Sequence, residues 1–166
     1  MEPAITDGPA VPVGLELAPI WKRSLGLLLD QLVAAVIPVI VVVSLGRSAH
    51  DVWNDNTVVF WVNAAMVTIG LLHETIGVWR WGRTVGKLAM GTRVVHAVDG
   101  GSVSLSSSLL RSLLPAALSV VPSWGAALSL GVYLWALVDP RRQGIHDKAA
   151  GTLVVRRIAR PVHPLY

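Results

Sequence analysis

Three ionisable side chains and an asparagine lie inside two stretches that are predominantly apolar. Asp30 sits within residues 25–45, and Asn63, His73 and Glu74 sit within residues 58–78. Lipid makes such groups costly, so they must face protein, water or one another, and this makes them candidate functional residues. Burial brings carboxyl and imidazole groups toward neutrality, so Glu74 with His73 beside it reads as a proton-titrating site. A second reading is packing. Asn63, Val67, Gly70, Glu74 and Gly77 recur at helical spacing on one face. Small residues there admit a neighbouring helix, and Asn63 has the chemistry to hydrogen-bond across the contact.

Arg23 and Asp30 are seven residues apart. On a helix that spacing returns them to the same face but separates them by ~10 Å of rise, too far for a direct pair. Arg111, Arg83 and Lys87 are the basic candidates for Asp30, and Asp147 is the acidic candidate for Arg23 or Arg111. Such a set serves either as an ion or substrate relay or as an ion-pair network pinning helices to a polar subdomain.

Sharper chemistries fail on spacing. Gly82-x-x-x-Gly86-Lys87-Leu88 resembles a phosphate loop but has three intervening residues where that motif has four. It also has Leu88 where a Ser or Thr would meet Mg²⁺. His73-Glu74 and His146-Asp147 are adjacent pairs, not the i, i+4 histidines of a helical zinc site. The serines of residues 102–108 have no nearby histidine and carboxylate, and fit the cap of a helix beginning near Leu105. No enzyme, cofactor or metal is expected.

The elements that must position these residues follow from hydropathy. A hydrocarbon core of ~30 Å needs roughly 20 helical residues, and both apolar runs meet that length. Trp21-Lys22-Arg23 forms an aromatic and basic collar before the first, and Trp79-Arg80-Trp81 closes the second. Pro38 falls inside the first helix. Residues 46–57 form a lightly basic loop that reads as external, and the basic residues 80–93 read as cytoplasmic. Residues 91–98, the Asp99-Gly100-Gly101 turn and residues 102–105 predict a β-hairpin, with residues 152–155 as a possible third strand. Residues 105–138 are interrupted at Pro115 and at Pro122-Ser123-Trp124-Gly125, which predicts two short helices, either just spanning or re-entrant. The expected fold is therefore an all-α membrane protein of four hydrophobic helices with a small cytoplasmic β-hairpin element. Residues 1–18 are expected as a flexible tail with no cleavable signal, residues 19–157 as the membrane domain, and residues 158–166 as a C-terminal tail.

Composition agrees. The 166 residues are 53% hydrophobic and 14% charged, against about 25% charged in soluble domains. Net charge is +4. The basic residues stand beside apolar runs, and Arg141, Arg142, Lys148, Arg156, Arg157 and Arg160 form a basic C-terminal segment. Anionic lipid headgroups, not nucleic acid, are the expected electrostatic partner. The chain has no cysteine, which excludes disulfides and thiolate chemistry.

In order and spacing, several motifs together resemble the RDD family of bacterial membrane proteins. They are Trp21-Lys22-Arg23 leading to Asp30, then Gly82-Arg83-Thr84-Val85-Gly86-Lys87-Leu88 with Gly91-Thr92-Arg93-Val94-Val95. Asp99-Gly100-Gly101, Leu109-Leu110-Arg111 and Gln143-Gly144-Ile145-His146-Asp147-Lys148 follow. The resemblance implies that Arg23, Asp30 and Asp147 are the arginine and two aspartates for which the family is named. It also implies a multi-pass bacterial inner-membrane protein with both termini cytoplasmic. Transport of unidentified ligands has been proposed for such proteins, and members also occur beside larger envelope systems. Two functions are therefore expected of this chain. One is a non-enzymatic accessory or scaffold subunit with membrane-protein partners or further copies of itself; the other is a small ion- or proton-coupled transporter, oligomeric in form.

Overall fold

The computed structural model describes residues 11–12, 15–121 and 123–157. A short strand, β1 (Leu15–Leu17), leads into α1 (Ile20–Ser44), a 25-residue apolar helix that starts just after Pro19. The buried residues of α1 are Gly26, Asp30, Ala34 and Pro38. Their spacing of four draws one narrow stripe, while Leu28, Leu32, Ile37 and Ile40 on other faces are more than half exposed. A one-turn-and-a-half helix, α2 (Ala49–Asn54), is closed by a capping box between Ser48 and Asp51. It leads to α3 (Asn56–Trp81), whose first amides at Thr57 and Val58 bond the Asp55 carboxylate. Gly82 ends α3 in the left-handed region at φ +69, and the Gly82 and Arg83 amides return to Val78 and Gly77. That is a glycine C-cap.

Then follow α4 (Val85–Ala89), β2 (Arg93–His96), α5 (Leu105–Ser119), α6 (Gly125–Leu134), α7 (Ile145–Ala149) and β3 (Thr152–Arg157). A single 3₁₀ turn, Trp135–Leu137, extends α6. Helices α1 and α3 are long and apolar enough to cross a membrane. The expected second pair is present as the hairpin α5–α6, with 15 and 10 residues, below the roughly 20 that an upright crossing needs. Four membrane-crossing helices are thus not what the helix lengths by themselves establish.

The β-element differs from the expected hairpin. The Asp99 turn is present: the Gly100 amide bonds the His96 carbonyl, and Asp99 accepts the Gly101 amide at 3.0 Å. Its second arm is no strand, because Ser104 is already committed as the cap of α5, accepting from the Ser107 amide at 3.1 Å. Strand β2 instead pairs antiparallel with β3, which pairs on its other edge with β1, giving the order β1-β3-β2. Leu15–Leu17, expected within a tail, is therefore a strand. The rest of that expected tail, residues 1–10 and 13–14, and residues 158–166 lie outside the described residues.

Strand alternation divides the sheet's apolar side chains between two faces. Val94 and Val154 meet Val78 of α3, Ala18 and Val103 in one buried cluster, while Val95, Leu153 and Val155 pack against Leu15 and Leu17 in another. Val78 thus joins the sheet to the end of the second long helix.

Candidate functional site

Where the long helices meet the sheet, the ionisable residues form a girdle. It starts at Asp30. Gly26, one turn earlier, brings α1 against the first turn of α4. A Cβ on Gly86 would overlap the Gly26 carbonyl oxygen and stand 2.9 Å from the Asp30 carboxylate. Because Gly86 has none, its amide reaches Asp30 Oδ1 at 2.7 Å, and the Thr84 hydroxyl donates to Asp30 Oδ2 at 2.5 Å. The α4 turn then aims Lys87 inward, its ammonium 3.5 Å from Asp30 and 2.7 Å from Glu74 of α3.

Glu74 accepts from Arg111 Nε of α5 at 3.0 Å on its other oxygen. Arg111 is almost fully buried, pairs with Asp147 of α7, and donates to the Thr152 hydroxyl of β3 at 3.1 Å. Asp147 in turn pairs with Arg23 of α1 and accepts the Gly144 amide at 3.0 Å. Arg23 also donates to the Arg142 carbonyl. The order Asp30, Lys87, Glu74, Arg111, Asp147, Arg23 alternates in sign throughout, with three carboxylates against three cations. It leaves α1 at Asp30 and returns to α1 at Arg23.

The sequence expectations are met unevenly. Asp147 takes both of its arginine candidates. Of the three bases proposed for Asp30, Lys87 is its partner; Arg111 goes to Glu74 and Asp147, and Arg83 is exposed. Arg23 and Asp30 do not pair, as their rise demands. Gly82 is a helix cap, Gly86 a packing contact and Lys87 an ion-pair partner, so the phosphate-like motif is a structural turn. Gly70 faces Ala34 of α1 at 3.9 Å, so the small-residue face is used. Asn63 is a correction: its amide donates to Val59 of its own helix at 2.9 Å, and no hydrogen bond from it across the helix contact is made among the described residues. His73 Nδ1 stands 3.8 Å from Asp30, beyond hydrogen-bond reach.

Thr84, Thr152 and His146 were not anticipated as members. Thr84 carries a local signal, since it caps α4. Thr152 and His146 stand close to Asp147 in the C-terminal motif, but only tertiary packing decides which contacts they make. His146 is 1% exposed, packs in a tilted arrangement against Tyr133 of α6 with ring centroids 4.5 Å apart, and has no hydrogen-bond partner on either ring nitrogen. Burial, followed by the charges of Arg111 and Arg23, holds it well below the usual 6.5, so it is neutral. Nearby, Asp139 accepts the Arg141 and Gln143 amides at 3.1 and 2.9 Å and pairs with Lys148. Burial opposes its charged form, but Lys148 and those amides outweigh burial and hold the carboxyl below its usual range.

A cavity of about 230 Å³ lies between the long helices and the α5–α6 hairpin, lined among others by Asp30, Asn63, His73, Glu74, Ser112 and Tyr133. On the other side of Glu74 and Tyr133 is a chamber of about 70 Å³, lined by Arg23, Lys87, Arg111 and His146. It has room for about two waters. Among the described residues no group of three His, Cys, Asp or Glu is placed to hold a metal. The arrangement can join elements and solvate a small polar group.

Comparison with known proteins gives one family. The model of the RDD family matches residues 17–151, a range that begins in β1 and ends just before β3 and contains every charged member of the girdle. No curated protein and no solved structure matches the chain.

Proposed function

Since this chain belongs to the RDD family, we propose that it is a non-enzymatic accessory or scaffold subunit of a larger membrane assembly. The girdle is then a clamp between the membrane helices and a cytoplasmic sheet. The observation that carries this reading is the closure of the girdle: each acid is already matched by cations or amide donors. Removing one partner from such a set leaves another charge buried without compensation, which costs about 3–5 kcal/mol. Selection for stability alone therefore accounts for these residues. Partners are reached through the exposed apolar faces of α1 and α3, which lipid and other membrane helices share, and the surrounding lipid is anionic on the basic side.

One observation favours a second reading, a small ion- or proton-coupled transporter. The 230 Å³ cavity carries Asp30, His73 and Glu74 in its wall, and polar groups at that depth are costly unless used. Glu74→Gln separates the two. It keeps shape and most hydrogen bonds but removes the charge. For a scaffold we expect the variant, isolated in mild detergent, to retain the proteins that co-purify with wild type. Wild-type protein that alone moves ions or protons in proteoliposomes, and loses this with Glu74→Gln while remaining folded, overturns the scaffold reading.

A further inference from the structure

A second, apolar groove of about 350 Å³ runs along the outer side of α3 where it meets α4, with Ile69, Leu72, Ile76, Trp81 and Val85 in its walls and Arg83 at its edge. Leu72, Ile76, Trp81 and Val85 are 45–60% exposed, so the groove opens outward, away from the girdle. From Ile69 to Trp81 the helix rises ~18 Å. Half of a ~30 Å hydrocarbon core is ~15 Å, so the groove has the length of one leaflet's acyl chain.

Its polar end is cationic. Arg80 lies one turn beyond Ile76 on the same helical face, and Arg83 lines the groove itself. Arg93 approaches from β2: a Cβ on Gly82 would stand 2.6 Å from Arg93 Nε, so the Arg93 side chain lies over Gly82, the residue that precedes Arg83. All three arginines are exposed, and none has a carboxylate partner among the described residues. By contrast, the cations facing inward are all ion-paired. An apolar slot of one leaflet's depth, ending in three uncompensated guanidinium groups beside interfacial tryptophans, matches a molecule with an acyl chain and an anionic head.

We infer that the α3–α4 groove is a binding site for one anionic phospholipid, its chain along Leu72 and Ile76 and its phosphate on Arg80, Arg83 and Arg93. His73 and Thr84 form the inner wall. Thr84 donates to Asp30, and His73 stands beside it, so a bound lipid braces the first link of the girdle from outside.

The test uses the full chain in mild detergent, presented with equal amounts of phosphatidylglycerol and phosphatidylcholine and examined by native mass spectrometry. Wild type should retain phosphatidylglycerol preferentially, and each arginine changed to Gln should lower that preference roughly fivefold. Arg83→Lys, which keeps the charge, should preserve most of it. Ile76→Trp, which fills the slot, should reduce retention of both lipids. Thermal melting of each variant verifies that it is folded, and wild type should melt higher with phosphatidylglycerol than with phosphatidylcholine. Equal retention of the two lipids by wild type, or an undiminished preference in the variant lacking all three arginines, overturns the site. Undiminished retention in folded Ile76→Trp removes the groove from it.

Discussion

The Asp147 carboxylate divides its oxygens between Arg23 and Arg111, and its neighbour His146 has the opposite condition, buried with neither nitrogen satisfied. That contrast sets a pH dependence. An unfolded histidine takes a proton as pH falls through 6.5, whereas folded His146 stays neutral to well below that value. The unfolded state therefore binds more protons in this window, and stability falls with pH by up to about 1.4 kcal/mol per unit. Above 6.5 the contribution is flat. His146→Gln should flatten the decline in melting temperature from pH 6.5 downward, measured on purified protein. A decline as steep as that of wild type would remove His146 as its source.

At the scale of elements, the contact between α1 and α4 is made by two glycines that are not equivalent. A methyl on Gly86 collides with the Gly26 carbonyl and crowds Asp30, whereas a methyl on Gly26 meets its nearest atoms at 3.4–3.6 Å, ordinary contact. Gly86→Ala should therefore separate the helices and loosen the Asp30 bonds, at about 1–3 kcal/mol. Gly26→Ala should be neutral or slightly stabilising, because alanine is favoured over glycine in a helix interior by roughly 1 kcal/mol. Melting temperatures of the two variants decide this, and equal losses would mean that the contact is not set by Gly86.

For the whole molecule, the proposed topology places the sheet and the basic segments in the cytoplasm and α2 outside, with α5–α6 entering and leaving on the sheet side. The absence of cysteine makes this directly measurable. Single cysteines at Ala49, Val98 and Ala149, all at exposed positions, report on three segments. An impermeant thiol reagent should label Ala49→Cys in intact cells, and Val98→Cys and Ala149→Cys only after the membrane is opened. Labelling of Ala149→Cys from outside contradicts the proposed arrangement.

Features governed by nearby residues were legible in the sequence. The two apolar runs state their own helical length, the serines ahead of Leu105 announce a helix start, and Asp30 marks itself by its cost in lipid. Resemblance to the family's motifs likewise singled out Arg23, Asp30 and Asp147. Pairings across the chain were not legible. Thr84 and Asp30 are 54 positions apart and Arg23 and Asp147 are 124 apart, so no spacing rule could choose Lys87 over Arg111 for Asp30. The Asp99-Gly100 turn was read correctly, yet a turn specifies only that the chain reverses. Whether the returning segment becomes a strand depended on what competed for it: the α5 cap claimed Ser104, and distant β3 took the edge of β2. Hydrogen bonds along a helix are dictated by neighbours in sequence, whereas those of a sheet and of an ion-pair girdle belong to whichever residues the packing of α1, α3 and α5 brings together.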